Sequence, residues 1–169
     1  MLPELEEHYR LLQIWNRKLN LTSEDSLERH YGESIFLAEH LPAGSLRIAD
    51  IGSGAGFPGF PIAVVRPECS VALIEAHQRK AVFLKEASRH QSNIRVLAKR
   101  AEEIDERFDW AVSRAVSHQD LGKNLRRLAS HAALLTGAEP PPRELGFEWA
   151  DPIVLPGSRQ RFLLVSREG

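Results

Sequence analysis

The sequence predicts an α/β fold: a mostly parallel sheet with helices on its faces, ending in an antiparallel hairpin. Three observations carry this. From residue 47 onward, short apolar strand-like runs alternate with helix-like segments, the order of βα units. The first run, Arg47-Ile48-Ala49-Asp50-Ile51, passes straight into a glycine-dense turn, Gly52-Ser53-Gly54-Ala55-Gly56-Phe57-Pro58-Gly59. The last two apolar runs, 153–155 and 161–165, are joined by five residues, too few for a crossover but suited to a hairpin.

In chain order, residues 4–21 read as an amphipathic helix. Leu5, Tyr9, Leu12, Trp15 and Leu19 recur at spacings of three and four, which places them on one face. Thr22 and Asp25 stand at capping-box spacing. A second helix is expected over 26–41, with Ile35, Leu37, Ala38 and Leu41 apolar and Pro42 and Gly44 as its stop. Arg29 and His30 on it could face a ligand. Residues 47–51 form the first strand. A short helix over 57–65 follows, where Pro58 suits a first turn because its missing N–H has no partner there anyway. Residues 70–74 form a second strand ending at Glu75. A helix over 78–90 should turn Val82, Phe83 and Ala87 inward. Residues 94–97 and 108–113 are the third and fourth strands, 121–131 a helix, and 132–136 the fifth strand. Residues 137–142, with three consecutive prolines, form a stiff loop. The expected organisation is an N-terminal helical extension, 1–45, and a Rossmann-like domain, 46–169.

Composition bounds the possibilities. One domain of this length can bury a substantial core without disulfide staples. Cys69 is the single cysteine, so an intrachain disulfide and a cysteine-based metal cluster are excluded; a buried or strand-edge thiol in a reducing compartment is expected. No run approaches the roughly 18 apolar residues of a membrane span. The acidic N-terminus is unlike a secretory signal. A cytoplasmic, membrane-free protein is expected, without a bound metal and monomeric. Charge is uneven. Residues 1–45 hold 4 basic and 8 acidic side chains, residues 76–130 hold 12 basic and 7 acidic. The basic middle is either a set of solvated helix faces or a surface for an anionic partner such as RNA.

The glycine turn fits two templates. Gly54-Ala55-Gly56-Phe57-Pro58-Gly59 satisfies the dinucleotide-binding pattern. Asp50-x-Gly52-x-Gly54-x-Gly56 resembles the first motif of S-adenosylmethionine-dependent methyltransferases. Both place a nucleoside at the carboxyl ends of the strands, and both want the carboxylate of Glu75, 23 residues after Gly52, to accept ribose hydroxyls. The terminal hairpin favours the methyltransferase template over an NAD domain, which normally continues with further βα units. Lys99-Arg100-Ala101-Glu102 follows the third strand, and Ser113-Arg114 ends the fourth. Arg114 would either meet an anion at the mouth of the site or form a salt bridge with Asp50 or Asp109.

With these residues placed, the chain resembles the glucose-inhibited division protein B family, the ribosomal RNA small-subunit methyltransferase G family. The resemblance rests on Leu12-x-x-Trp15-Asn16-x-Lys18-x-Asn20-Leu21-Thr22, Arg29-His30-x-x-Glu33-Ser34 and Asp50 through Pro61. It continues in Glu75-x-x-x-Arg79-Lys80-x-x-Phe83-Leu84, Arg100-Ala101-Glu102, Ser113-Arg114-Ala115 and Leu155-Pro156-Gly157. It implies a class I methyltransferase fold with a helical extension, S-adenosyl-L-methionine as cofactor, and methylation of guanine N7 in small-subunit ribosomal RNA, free or in the small ribosomal subunit. It implies cofactor contacts at Gly52, Phe57, Ala101, Glu102 and Arg114, with Glu75 at the ribose; Gly54 and Gly56 complete the glycine turn. No catalytic side chain is expected, because guanine N7 has a free lone pair and loses no proton. Arg79, Lys80, Lys99, Arg100, Lys123, Arg126 and Arg127 are candidate phosphate contacts. The segment between the fifth strand and the hairpin is shorter than in most of the family, and Thr136-Gly137 stands where a lysine is usual. A non-enzymatic RNA- or ribosome-binding protein that keeps the fold is the rival reading.

Overall fold

A computed structural model of the chain describes residues 1–22, 27–114, 121–137 and 145–167. Helix α1, Pro3–Leu19, opens with a proline in its first turn and with Glu4 and Glu6 beside the positive end of the helix dipole; Arg17 and Lys18 sit at the other end. Asn20 closes it in the left-handed conformation, φ 54°. The Asn16 amide then fixes the exit: its Nδ2 donates to the Thr22 carbonyl at 2.8 Å and its Oδ1 accepts the Thr22 N–H at 3.0 Å. Helix α2, Leu27–Glu39, buries Tyr31, Ser34, Leu37 and Ala38.

The sheet follows. Its strands are β1, Arg47–Ile51; β2, Ser70–Ile74; β3, Ile94–Leu97; β4, Phe108–Arg114; β5, Ala129–Thr136; β6, Ile153–Val154; and β7, Phe162–Val165. Helix α3, Gly59–Val65, follows β1, and α4, Gln78–Ala87, follows β2. A 3₁₀ turn, Ala101–Glu103, follows β3, and α5, Leu125–Leu128, precedes β5. The strand order is β3-β2-β1-β4-β5-β7-β6. β1 to β5 pair in parallel, and β7 runs antiparallel between β5 and β6. The order reverses between β1 and β4, which opens a crevice at their carboxyl ends.

Alternation along the strands sends two sets of side chains to opposite faces. Ile48, Val71, Leu73, Trp110 and Val112 join Leu5, Leu12, Leu37, Phe60 and Phe83 in one hydrophobic cluster, so the helical extension packs on the same core as the sheet. The other face is rich in alanine (Ala49, Ala72, Ala111, Ala132) and is covered by Leu125, Leu128 and Phe147. Cys69 is a buried free thiol.

Several local expectations change. Helix α3 starts at Gly59 rather than at 57, and Pro58 is its N-cap rather than part of its first turn. The helix expected over 121–131 is interrupted by a turn at Lys123 and Asn124 and ends at Leu128, and β5 starts at Ala129. There the ladder to β4 begins with Phe108 opposite Ala129, and Ser166 Oγ accepts the Ala132 N–H at 2.9 Å. Pairing on both sides outweighs the helix propensity of the alanines. His131 is therefore a strand residue, its ring stacked on Trp110 at 5.0 Å. Helix α4 ends at Ala87, where Ser88 Oγ donates to the Leu84 carbonyl at 2.6 Å. Val82 does not point inward but is 53 % exposed; the buried stripe runs through Phe83, Leu84 and Ala87. The capping box to Asp25, the helix start at Ser26 and the prolines 140–142 lie outside the described residues.

An ion pair ties α2 to the terminal hairpin. Glu33 on α2 is 2 % exposed, and Arg161, just before β7, reaches it with Nε at 2.9 and 3.1 Å and Nη2 at 2.8 Å. Removing one member strands a buried charge. Arg161→Leu should therefore lose about 3–5 kcal/mol, read as an earlier urea unfolding midpoint. The double variant Glu33→Leu/Arg161→Leu should recover most of it; equal midpoints for wild type and Arg161→Leu would contradict the assignment.

Candidate cofactor site

The glycine turn leaves β1 with Asp50 behind it. Asp50 is fully buried, and its Oδ2 accepts two hydrogen bonds at 2.8 Å, from Ser53 Oγ and from the Gly59 N–H. Both ends of the turn therefore hang on one oxygen. A Cβ at Gly59 would lie 2.4 Å from Leu73 Cδ2 and 2.6 Å from Asp50 Oδ2, so the start of α3 reaches Asp50 only because residue 59 has no side chain. The neighbouring strand holds the middle. Ser53 donates its N–H to the Ile74 carbonyl at 3.0 Å, and Gly54 donates its N–H to Glu75 Oε1 at 2.8 Å. Gly52 takes φ 68° and Gly56 φ 100°, a region that side chains disfavour.

An open cleft of about 270 Å³ lies where the turn meets the ends of β2 and β3. Gly52, Glu75, Ala101 and Glu102 line it together, with Ile51, Ile74, Ala76, Lys99 and Arg100. Four sequence-derived residues from three separate segments thus meet around one space. Gly54 stands next to it through its bond to Glu75. The second Glu75 oxygen accepts the His77 N–H at 2.9 Å, which aims the carboxylate at the cleft. The 3₁₀ turn is fixed from below: Arg127 Nη2 donates to the Ala101 carbonyl at 2.7 Å, and Arg127 Nη1 donates to the Ile104 carbonyl. Arg127 is therefore a structural residue, not a free phosphate contact. A sequence scan for basic residues could not separate the two uses.

Gly56, Phe57 and Arg114 do not line this cleft. Gly56 is packed from behind, where a Cβ would meet His8 Nε2 at 3.1 Å and Phe60 Cβ at 3.3 Å. Phe57 is 1 % exposed, its ring edge-on to Tyr31 and His8. Arg114 ends β4 with its guanidinium 5.4 Å from the centre of the Phe57 ring. Its Nη1 lies 2.6 Å from His30 Nδ1. Burial, followed by the positive charge of Arg114, pushes His30 down to about 3, so its ring is neutral and accepts this proton. His30 Nε2 lies 3.0 Å from the same Nη1 and 3.1 Å from Thr22 Oγ1. Burial lowers the pKa of Arg114, and Asp50 opposes the shift. The alternative, a salt bridge of Arg114 to Asp50 or Asp109, is not formed; Asp109 accepts the Arg47 N–H at 2.8 Å instead. Among the described residues no group of three His, Cys, Asp or Glu could hold a metal ion.

Sequence reasoning missed His8. It is fully buried on α1, and its Nε2 lies 2.8 Å from the Ala55 carbonyl inside the glycine turn. The only signal was its place among the apolar positions of a periodic helix, between Leu5 and Leu12.

Known proteins resemble this chain in sequence and in fold. The family model GidB, rRNA small subunit methyltransferase G, matches residues 1–133. Ribosomal RNA small subunit methyltransferase G of Nitrosospira multiformis is 39% identical over 135 residues, covering 75% of this chain and 60% of that protein. Its counterpart in Nitrosomonas eutropha is 32% identical, covering 96% of this chain and 86% of that protein. Among solved structures, MtNAS in complex with MTA and tNA superposes with TM-score 0.71 at 18% identity, covering 98% of this chain and 70% of that one. Fibrillarin of Aeropyrum pernix, with S-adenosyl-L-methionine natively bound, superposes with TM-score 0.64 at 18% identity, covering 82% of this chain and 76% of that one. At these identities the structural likeness is one of fold, and the fold is the Rossmann-like class I methyltransferase architecture.

Burial pushes the Asp50 carboxyl up to about 8, against the pull of its bonds from Ser53 and Gly59. In the unfolded chain the same group titrates near 3.9. Between these values the folded protein keeps a proton that the unfolded chain releases, so this group makes stability fall as pH rises from about 4 to about 8. Asp50→Asn cannot ionise. Its urea midpoint should therefore gain on the wild type between pH 5 and pH 8; a gap that stays constant would mean that Asp50 is ionised in the fold.

Proposed function

The chain belongs to the rRNA small subunit methyltransferase G family, and from that premise we propose that it transfers a methyl group from S-adenosyl-L-methionine to N7 of a guanine in small-subunit ribosomal RNA. The chain covers 60% of the first relative's length, so activity, substrate and partner are carried over as a reading of this chain. The observation that supports it most is the cleft at the ends of β1, β2 and β3, with the Glu75 carboxylate held by two backbone N–H groups.

The cleft fits the nucleoside half of such a cofactor. Its volume, about 270 Å³, falls just below the roughly 300–1,000 Å³ of pockets for drug-sized ligands. Glu75 accepts ribose hydroxyls with the lone pairs that its N–H partners leave free. Gly52 lets the ribose approach the main chain, and Ala101 leaves room for the ring while the backbone at Ala101 and Glu102 reads its edge. Gly54 keeps Glu75 in place. Gly56 and Phe57 act from behind, as the packed underside of the turn. Arg114, its guanidinium shielded by Phe57 and His30, holds the carboxylate of the cofactor or a phosphate of the RNA.

The cofactor supplies an electrophilic methyl on a sulfonium. The chain contributes alignment and exclusion of water. A guanine N7 lone pair needs no base, so the reaction asks no proton transfer of the chain. Arg79, Lys80, Lys99, Arg100, Lys123 and Arg126 are the remaining phosphate contacts, with small-subunit RNA or the small ribosomal subunit as the partner of a monomeric cytoplasmic enzyme. Arg126 is partly committed already, 4.9 Å from the centre of the Phe147 ring.

Calorimetric titration tests the cofactor first. S-adenosylmethionine and S-adenosylhomocysteine should bind in the micromolar range, with NAD silent. Glu75→Ala should weaken both by roughly tenfold to a hundredfold, the worth of hydrogen bonds to a charged group. Tritium from the labelled methyl should then appear as 7-methylguanine in small-subunit RNA. No binding of either cofactor form, with or without small ribosomal subunits, would overturn the proposal.

A further inference from the structure

We propose that His8 is a positioning residue for the cofactor: it clamps the glycine turn to the helical extension through the Ala55 carbonyl. The inference rests on the cofactor reading above, but its residues lie outside the cleft.

The geometry sets the protonation of the ring. The Ala55 carbonyl can only accept, so the hydrogen sits on His8 Nε2, which donates across 2.8 Å. His8 Nδ1 is then an acceptor and faces Tyr31 Oη at 2.5 Å. Tyr31 belongs to α2 and is 3 % exposed. Burial pushes its hydroxyl well above the usual value, so it keeps its proton and donates it. Burial likewise pushes His8 down to about 4, so the ring is neutral. The result is a directed chain, Tyr31 Oη–H to His8 Nδ1 and His8 Nε2–H to Ala55 O, joining α2, α1 and the turn.

The ring has little freedom to leave this arrangement. It stacks on Phe60 at 4.3 Å and 18°, and meets Phe57 and Tyr31 edge-on at 5.4 and 5.6 Å. Phe57 and Phe60 flank the turn on its helix side. Nε2 is also the nearest atom to the position of a Cβ on Gly56, at 3.1 Å. An aromatic box would pack a phenylalanine at least as well as an imidazole, whose two nitrogens must each be satisfied when buried. What the imidazole adds is a donor aimed at one carbonyl. That carbonyl lies between Gly54, whose N–H holds Glu75, and Gly56, whose N–H bonds the Ser53 carbonyl at 2.8 Å. In a segment of such backbone freedom, fixing Ala55 fixes the peptide units on either side and, through Gly54, the carboxylate that meets the ribose. The N-terminal helices thus set the shape of the cofactor loop.

Three variants test it: His8→Phe fills the box without the donor, Tyr31→Phe removes only the hydroxyl, and His8→Gln returns an amide donor and acceptor. Each is titrated with S-adenosylhomocysteine at 15 °C, and amide hydrogen exchange is followed at Gly54, Gly56 and Leu73. His8→Phe should weaken binding about tenfold, Tyr31→Phe about threefold, and His8→Gln should recover part of the loss. Exchange should rise at Gly54 and Gly56 while Leu73 in β2 stays protected, and the KM for S-adenosylmethionine should rise with kcat retained. If His8→Phe does not fold, Tyr31→Phe and His8→Gln decide. Wild-type affinity in folded His8→Phe or Tyr31→Phe, or exchange that rises equally at all three amides, overturns the positioning role. Silence of the wild type towards S-adenosylhomocysteine is a different failure, that of the cofactor reading itself.

Discussion

A single oxygen, Asp50 Oδ2, determines where the functional loop can be. It accepts Ser53 Oγ on one side and the first N–H of α3 on the other. The acid sits in an interior strand, where β1 pairs with both β2 and β4, so its position is that of the sheet itself. Placing a carboxyl there is expensive, and burial pushes its pKa up. The fold recovers that expense as geometry: a turn whose two ends share an anchor keeps its curvature without any ligand present. The need for a bare α-carbon at Gly59 follows from the same contact.

Around that anchor the turn is held on three sides by different parts of the chain. The sheet holds its ends, β2 holds its middle through Ile74 and Glu75, and α1 holds its outer bend through His8. Such threefold support suits a site that must bind a flexible cofactor, because order present beforehand lowers the entropy lost on binding. It also explains the division of labour among the residues of the glycine turn. Gly52 faces the cleft, Gly54 holds its carboxylate, and Gly56 is spent on close packing.

Much of this was legible from local pattern. The alternation of apolar runs and the terminal hairpin encode the strands, their mostly parallel sense and the antiparallel end because each is a property of a few adjacent residues; the strand order is not. Glu75 and Ala101-Glu102 were legible because a parallel sheet brings successive strand ends to one edge. What escaped depended on neighbours distant in sequence. Ala129 to His131 read as helix until β4 and Ser166 supply partners. Arg127 reads as a surface cation until the carbonyls of Ala101 and Ile104 appear beside it. His8 looks like one more position on an amphipathic face, because nothing in α1 announces that Ala55, 47 residues on, will present a carbonyl to it.

The Glu33–Arg161 pair has a consequence for the order in which the molecule is made. The two residues are 128 positions apart. At about 5–20 residues per second, Arg161 is synthesised roughly 6–25 s after Glu33. During that interval docking α2 fully would bury a carboxylate with no counter-charge, so Glu33 is better left in water. Helix α2, made early, thus has a final seating that waits for a late segment. The nascent protein would reach its closed form only when the terminal hairpin arrives.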